Sequence, residues 1–181
     1  MAHKGRQYRE MQRKTKDFLR KNQTRPINVS HEREYKIRVI EGKDRILQIM
    51  AHEHEKVQQR AHILSTLERW LQIMDACYEH YKQSLERGVK YQVVLEESES
   101  IFNFPQNLLE LMTIPNFKLR ITRKSLKTNA CIFDGKEATF NFYPSKSLKE
   151  SPIIWTNHPS FLDMYESLFN STWRSAVPFA F

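Results

Sequence analysis

The stretch AHILSTLERWLQIMDACYEHYKQSLERGVKYQVVL, residues 61–95, decides the fold. Ala61-His62-Ile63-Leu64 is short, apolar and bounded by polar residues, which reads as a strand. Ser65 or Thr66 can cap the helix that follows, and Glu68 stands three residues after Ser65, in capping-box spacing. Leu67, Leu71, Met74, Tyr78, Tyr81 and Leu85 then recur every three or four residues for about five turns, the period of an amphipathic helix. Arg87 suits the last turn and Gly88 a left-handed stop. Val89-Lys90-Tyr91-Gln92-Val93-Val94-Leu95 resumes as a strand. Strand, long helix and strand with short joints predict a crossover unit whose two strands run parallel.

Working outward, Tyr35-Lys36-Ile37-Arg38-Val39-Ile40 alternates like a half-exposed strand. Gly42 precedes a helix over about 43–59 with Ile46, Ile49, Met50 and Val57 facing inward. Downstream, residues 96–104 read as an acidic, polar loop and Pro105 opens a short helix to Met112. Phe117, Leu119 and Ile121 alternate with Lys118, Arg120 and Thr122 as a strand. Asn129–Phe133 and Ala138–Tyr143 form a strand pair around Asp134-Gly135, a strong hairpin signal. Ile153-Ile154-Trp155 is the last strand. His158 then precedes Pro159, well placed at the first helical position, and Leu162, Tyr165, Phe169, Trp173 and Ala176 mark a closing helix that Pro178 stops. The order predicts an α/β fold, a mixed sheet flanked by helices. Helix-connected neighbouring strands should be parallel and the pair around Gly135 antiparallel.

Charge divides the 181 residues sharply. The formal net charge is +8, and residues 1–30 hold nine basic and two acidic side chains, a net +7. The other residues are nearly balanced. The expected organisation is a basic helical arm and linker over 1–34 and a body over 35–181. Within the arm, Tyr8, Met11, Thr15 and Phe18 share one side of a helix over roughly 6–22. Lys4, Arg6, Arg9, Arg13, Lys14, Lys16, Arg20 and Lys21 fill the rest of its surface and are candidate phosphate contacts, with salt-dependent affinity. A charged linker helix explains the same residues equally well. No apolar run approaches the ~20 residues of a membrane span. The basic N-terminus has no apolar segment behind it, unlike a secretory signal. Two cysteines, Cys77 and Cys131, make no disulfide framework, and four glycines supply no phosphate-binding loop. A reducing cytoplasm is the expected location, with no membrane partner.

Candidate chemistry is sparse. His52, Glu53, His54, Glu55 and His62 lack the spacing of a zinc helix and read as a solvated face. Cys77 and His80 supply only two ligands, so no metal or cofactor is expected. Glu96, Glu97 and Glu99 read as loop charge. Trp70 stands beside the apolar stripe of its helix, at a pocket rim or a subunit contact. With Glu96, Glu97 and Trp155 it forms the candidate ligand pocket.

From Gly42 to Ala176 the chain resembles the effector domain of TrmB-type archaeal transcription regulators. The resemblance rests on Ile40-Glu41-Gly42, Ala61-His62-Ile63-Leu64-Ser65-Thr66, Leu85-Glu86-Arg87-Gly88-Val89-Lys90, Ile132-Phe133-Asp134-Gly135-Lys136-Glu137-Ala138, Trp155-Thr156-Asn157-His158-Pro159-Ser160 and Phe169-Asn170-Ser171-Thr172-Trp173. That domain is similar to half of a phospholipase D-like fold. Catalytic members of that superfamily carry His-x-Lys followed, after four intervening residues, by Asp. Aligned on the Asp-Gly turn, the His and Lys places fall on Lys127 and Asn129 and the Asp place on Asp134, which reads as a turn residue. The winged helix-turn-helix that usually precedes the effector domain has no counterpart in residues 1–30.

The expectation is therefore a non-enzymatic, transcription-regulator-like protein. Its effector or dimerisation domain would form a homodimer or sense a small molecule, and its basic arm would contact DNA or connect to a DNA-binding head. Two alternatives stand beside it: an α/β hydrolase or phosphodiesterase working among Trp70, Glu96, Glu97 and Trp155, and a pure protein-interaction module.

Overall fold

A computed structural model describes residues 34–98 and 104–179. The predicted arm helix and its eight candidate phosphate contacts lie outside the described residues. The body is built on one mixed sheet of eight strands: β1 (Ile37–Ile40), β2 (Arg60–Ser65), β3 (Lys90–Glu96), β4 (Phe117–Thr122), β5 (Asn129–Phe133), β6 (Glu137–Asn141), β7 (Ile153–Thr156) and β8 (Val177–Pro178). Their order across the sheet is β1-β7-β6-β5-β2-β3-β4-β8. The helices are α1 (Lys43–Lys56), α2 (Leu67–Glu86), α3 (Gln106–Met112) and α4 (Pro159–Ser175).

The predicted crossover unit is present: β2 and β3 pair in parallel, Arg60 opposite Lys90 and Leu64 opposite Val94. β4 extends the parallel set. Asp134 and Gly135 both adopt positive φ, 54° and 65°, and the Lys136 N–H donates to the Phe133 carbonyl at 2.9 Å, closing a tight turn between the two strands. β5 and β6 run antiparallel through it, Phe133 opposite Glu137. β1 departs from the simple expectation. It does not neighbour β2 but crosses to the far edge, where it pairs antiparallel with β7.

Strand alternation sorts the side chains onto two faces. Ala61, Ile63, Tyr91, Val93, Leu95, Phe117 and Leu119 face α1, α2 and α3, and with Ile46, Met50, Trp70, Met74 and Tyr81 make the larger core. Leu64, Val94, Ala130, Ile132, Ala138 and Phe140 face α4, meeting Leu162, Tyr165 and Phe169. Each fully buried large apolar side chain contributes roughly 1.5–3 kcal/mol. The cap of α2 is Thr66, whose hydroxyl accepts from the Arg69 backbone N–H at 3.4 Å; Ser65 is turned into a side-chain network instead. Non-helical backbone at Cys77 (φ −112°, ψ 15°) kinks α2. Gly88 stops it at φ 90°. Among the described residues no helix is long and apolar enough to cross a membrane.

Trp70 is only 1% exposed and belongs to the main core, which corrects its placement at a pocket rim. The true inner face of α2 runs Leu67, Trp70, Ile73, Met74, Cys77, Tyr81, Ser84 and Leu85. Glu53 and His54 correct the solvated-face reading of α1, being 3% and 0% exposed. His54 Nδ1 meets the Tyr91 hydroxyl at 2.9 Å, Tyr91 meets Ser84 Oγ at 2.8 Å, and Ser84 donates to the Tyr81 carbonyl at 2.7 Å. Because Ser84 has one proton and gives it to that carbonyl, Tyr91 donates to Ser84, and His54 must donate from Nδ1 to Tyr91. Its Nε2 is then a buried acceptor without a partner. The imidazole stays neutral, its pKa pushed down to about 3 by burial and, secondarily, by His80.

Candidate functional site

The four residues of the expected pocket do not converge. Trp70 is sealed in the core on the α2 side of the sheet. Trp155, on β7, donates from its indole N–H to Glu53 Oε1 at 3.0 Å and lies under the Arg38 guanidinium. Glu96 ends β3 on the α4 face, its carboxylate accepting the Leu126 backbone N–H at 2.9 Å. Glu97 is exposed and pairs with Arg123 at 3.3 Å. Strand alternation puts Trp70 and Glu96 on opposite faces of one sheet, so no ligand touches both.

The places of the phospholipase motif fall at two ends of β5. Asn129, in the Lys place, is 8% exposed and fully engaged. Its Oδ1 accepts from Ser65 Oγ (3.1 Å) and the Thr66 N–H (2.8 Å), and its Nδ2 donates to Asn141 Oδ1 and the Pro144 carbonyl, both at 3.2 Å. Asn141 in turn donates to Ser151 Oγ at 3.0 Å. Beside it the guanidinium of Arg69, 2% exposed, donates to the carbonyls of Lys146 (3.5 Å) and Ser151 (3.4 Å). Burial lowers its pKa to about 10, still well above neutrality. These donors hold the 142–152 loop down over the ends of β2 and β5. Lys127, in the His place, is exposed.

Asp134 sits at the opposite end of β5. Its Oδ1 accepts from the N–H groups of Gln59 (2.8 Å) and Arg60 (3.0 Å), its Oδ2 from Gln58 (2.9 Å). Partial burial would raise the carboxyl's pKa, but the three backbone donors win and hold it below the ordinary Asp value. This is a structural clamp on the start of β2, as the turn reading expects. Neither a metal cluster of three or more His, Cys, Asp or Glu nor a disulfide occurs among the described residues.

An open polar feature lies elsewhere, on the α4 face toward the starts of β2, β3 and β4. A cavity of about 430 Å³ is lined by Arg60, His62, Lys90, Gln92, Asn116 and Lys118 among others. A second, of about 400 Å³ along β4, shares Gln92 and Lys118, adds Arg120 and Trp173, and also takes in Phe117 and Leu119 from the other side of the sheet. His62 is stacked on Phe169 of α4 at 4.2 Å and 8°. Its Nδ1 meets Glu166 Oε2 at 2.9 Å, while Arg60 meets Glu166 Oε1 at 3.2 Å. The His62 hydrogen bond, first, then Arg60, keep the Glu166 carboxyl below its ordinary value against partial burial. The sequence reading missed this groove. Its signal was the charged half of each alternation, Arg60/His62, Lys90/Gln92 and Lys118/Arg120, on strands whose other half is apolar.

No family model and no curated protein matches the chain. Solved structures do. NucT from Helicobacter pylori superposes with a TM-score of 0.65 at 17% identity over 81% of this chain and 100% of its own. TrmBL2, described as an archaeal chromatin protein with a novel mode of DNA binding, gives 0.62 at 16% identity over 97% of this chain. The chain spans 66% of TrmBL2's length. Nuc from Salmonella typhimurium, a phospholipase D family member, gives 0.58 at 16% identity over 82% and 100%. The expectation that the chain is not an enzyme is corrected by this set, since the fold is also that of phospholipase D-family enzymes, including a phosphatidylserine synthase from Haemophilus influenzae. The fold is phospholipase D-like, a mixed sheet flanked by helices, shared with TrmBL2 and with Nuc and NucT.

Proposed function

We propose that the chain is a DNA-associated, regulator-like protein, in which a phospholipase D-like body carries a basic arm that contacts phosphates. The observation that carries this reading is the segregation of charge: a net +7 in residues 1–30, attached to a nearly neutral fold. The likeness to TrmBL2, which extends over 97% of the chain, supports it. Lys4, Arg6, Arg9, Arg13, Lys14, Lys16, Arg20 and Lys21 neutralise phosphates and release counterions, so binding weakens steeply with salt. The test is anisotropy of a labelled duplex at several salt concentrations with Lys14, Lys16, Arg20 and Lys21 changed to Glu. Affinity at low salt should fall at least about tenfold and the salt slope should flatten by about 3–4, near 0.9 per lost phosphate contact. Unchanged binding removes the arm from the reading.

A second reading, phosphodiester cleavage, is favoured by one contact: the His62–Glu166 pair, an imidazole oriented by a carboxylate at the edge of an open cationic groove. Such a pair can hold or move a proton at Nε2. Hydrolysis of a chromogenic phosphodiester that disappears in His62→Gln would establish it. Activity indifferent to that change, or none at any pH, would reject it.

A further inference from the structure

We propose that the groove across β2, β3 and β4 is a track for the phosphodiester backbone of a single nucleic-acid strand. The inference rests on the nucleic-acid reading above and names a second contact surface, on the body itself. Strand register sets the layout. Arg60 stands opposite Lys90, and Gln92 opposite Lys118, with Arg120 two residues further along β4 and opposite Val94. Neighbouring strands lie about 4.8 Å apart and alternate residues about 6.7 Å. Arg60, Lys90, Lys118 and Arg120 therefore follow one another diagonally across the floor in steps of about 5–8 Å, the scale of successive phosphates on an extended strand.

Charge along this path is unbalanced. Glu166 neutralises Arg60 and meets His62. Among the described residues no ion pair reaches Lys90, Lys118 or Arg120. Arg120 is positioned by uncharged partners: it lies 4.4 Å over the Trp173 ring and donates to the Trp173 carbonyl at 2.7 Å. Lys90 and Lys118 are exposed, and Gln92 between them offers a neutral amide to a sugar or a phosphate oxygen. The two cavities meet at Gln92 and Lys118, which line both.

Shape selects the occupant. The floor is sheet, and the lining that stands beside it is Trp173 and Pro178 in one cavity and Pro115 and Asn116 in the other. A duplex bridges such walls, whereas one strand reaches the floor. Trp173 already has Arg120 on its ring and Phe169 stacked beside it at 5.7 Å. Recognition is thus through backbone charge, without base stacking on this ring, and sequence preference should be slight.

The experiment measures binding of a labelled oligo-dT strand and of a duplex to the full chain over a salt series. The variants are K90E/K118E, the milder K90Q/K118Q, and K43E/K149E as an equal charge change elsewhere on the exposed surface. Each is also placed on the arm-reversed background. The expectation is at least a tenfold loss of single-strand affinity for K90E/K118E, a salt slope lower by about 1.4 for two phosphate contacts on a single strand, and no change for K43E/K149E. K90Q/K118Q should lose less and keep the wild-type melt, so the test survives a folding failure of the double reversal. Persistence of the loss on the arm-reversed background supports the groove independently of the arm. Wild-type single-strand affinity in both groove variants overturns the proposal; if arm reversal abolishes binding at the same time, the arm reading stands alone. Equal loss in K43E/K149E, or a larger loss on the duplex than on the single strand, also overturns it. Absence of any nucleic-acid binding by the wild type defeats both readings.

Discussion

Two buried groups on adjacent residues of α1 should give the protein an almost level stability profile in mild acid, and removing either should tilt it in opposite directions. His54 titrates at 6.5 when unfolded and at about 3 in the fold. As pH falls below 6.5, the unfolded chain takes up a proton that the native imidazole refuses. The stabilisation due to neutral burial, complete above 6.5, is lost at about 1.4 kcal/mol per pH unit. That amounts to about 2 kcal/mol between pH 6.5 and 5 and approaches about 5 kcal/mol near pH 3. Glu53 has the opposite sign. Burial, and then Glu137 beside it, raises its carboxyl from 4.5 to about 8, so the native state holds a proton that the unfolded state has released. Its contribution is complete below pH 4.5 and is lost as pH rises through about 8. Between 4.5 and 6.5 the two slopes have similar size and opposite direction. The depressed carboxyls of Asp134, Glu137 and Glu166 exert their effect near and below their unfolded values and leave the range from pH 5 to 6.5 clear. Urea unfolding followed by tryptophan fluorescence should therefore give a nearly constant free energy from pH 6.5 to 5 for the wild type. His54→Phe should gain about 1–2 kcal/mol over that range as pH falls, relative to its own value at 6.5. Glu53→Gln should lose a similar amount. A His54→Phe profile parallel to the wild type would refute the argument, because it would mean that the native imidazole takes up its proton like an unfolded one.

Three other perturbations test the frame around the site. Asp134→Ala removes three charge-assisted contacts and leaves a non-glycine residue at φ 54°; we expect a loss of about 2–4 kcal/mol in denaturant titration at neutral pH, with the difference from wild type narrowing as pH falls below the ordinary Asp value of 3.8 and the advantage of the ionised carboxylate is lost. Asn129→Ala strands Ser65, the Thr66 N–H and Asn141 without their partner and should cost about 2–4 kcal/mol, with faster amide exchange in the 142–152 loop. Trp70→Ala should lower stability by about 3–5 kcal/mol in the same titration, the value for a core aromatic, whereas a loss under 1 kcal/mol would return Trp70 to a rim.

The elements themselves were readable because each announces its own ends: Gly88 and Pro159 by backbone restriction, Asp134-Gly135 by turn chemistry, the strands by alternation. What escaped depended on partners distant in sequence. Glu53 and His54 look solvated on a helix that holds few apolar residues, and they are buried by Trp155 and Tyr91, 102 and 37 positions away. Trp70 was assigned to the wrong side because a strict three-and-four walk through Leu71 and Tyr78 ignores that a packed helix face is wider than one stripe. The kink at Cys77 shifts the stripe further. The pocket of Trp70, Glu96, Glu97 and Trp155 failed for a topological reason, since closeness in chain order does not fix which sheet face a side chain takes. The cationic groove was visible only as the neglected half of three alternations. Its convergence needed the parallel register of β2, β3 and β4.

The far-edge position of β1 also bears on the order in which the molecule opens. Pairing Ile37 with Thr156 closes a loop of well over a hundred residues, among the most expensive closures in the chain. The strand returns few interactions for it: four residues, three of them exposed, and, among the described residues, paired on one side only. Hydrogen exchange should therefore find β1 less protected than β2 or β3, opening without global unfolding. Residues 1–34 join the body through this strand. A load on the arm would reach this weakly held edge ladder first, so that β1 would act as a mechanical fuse that releases before the core is disturbed.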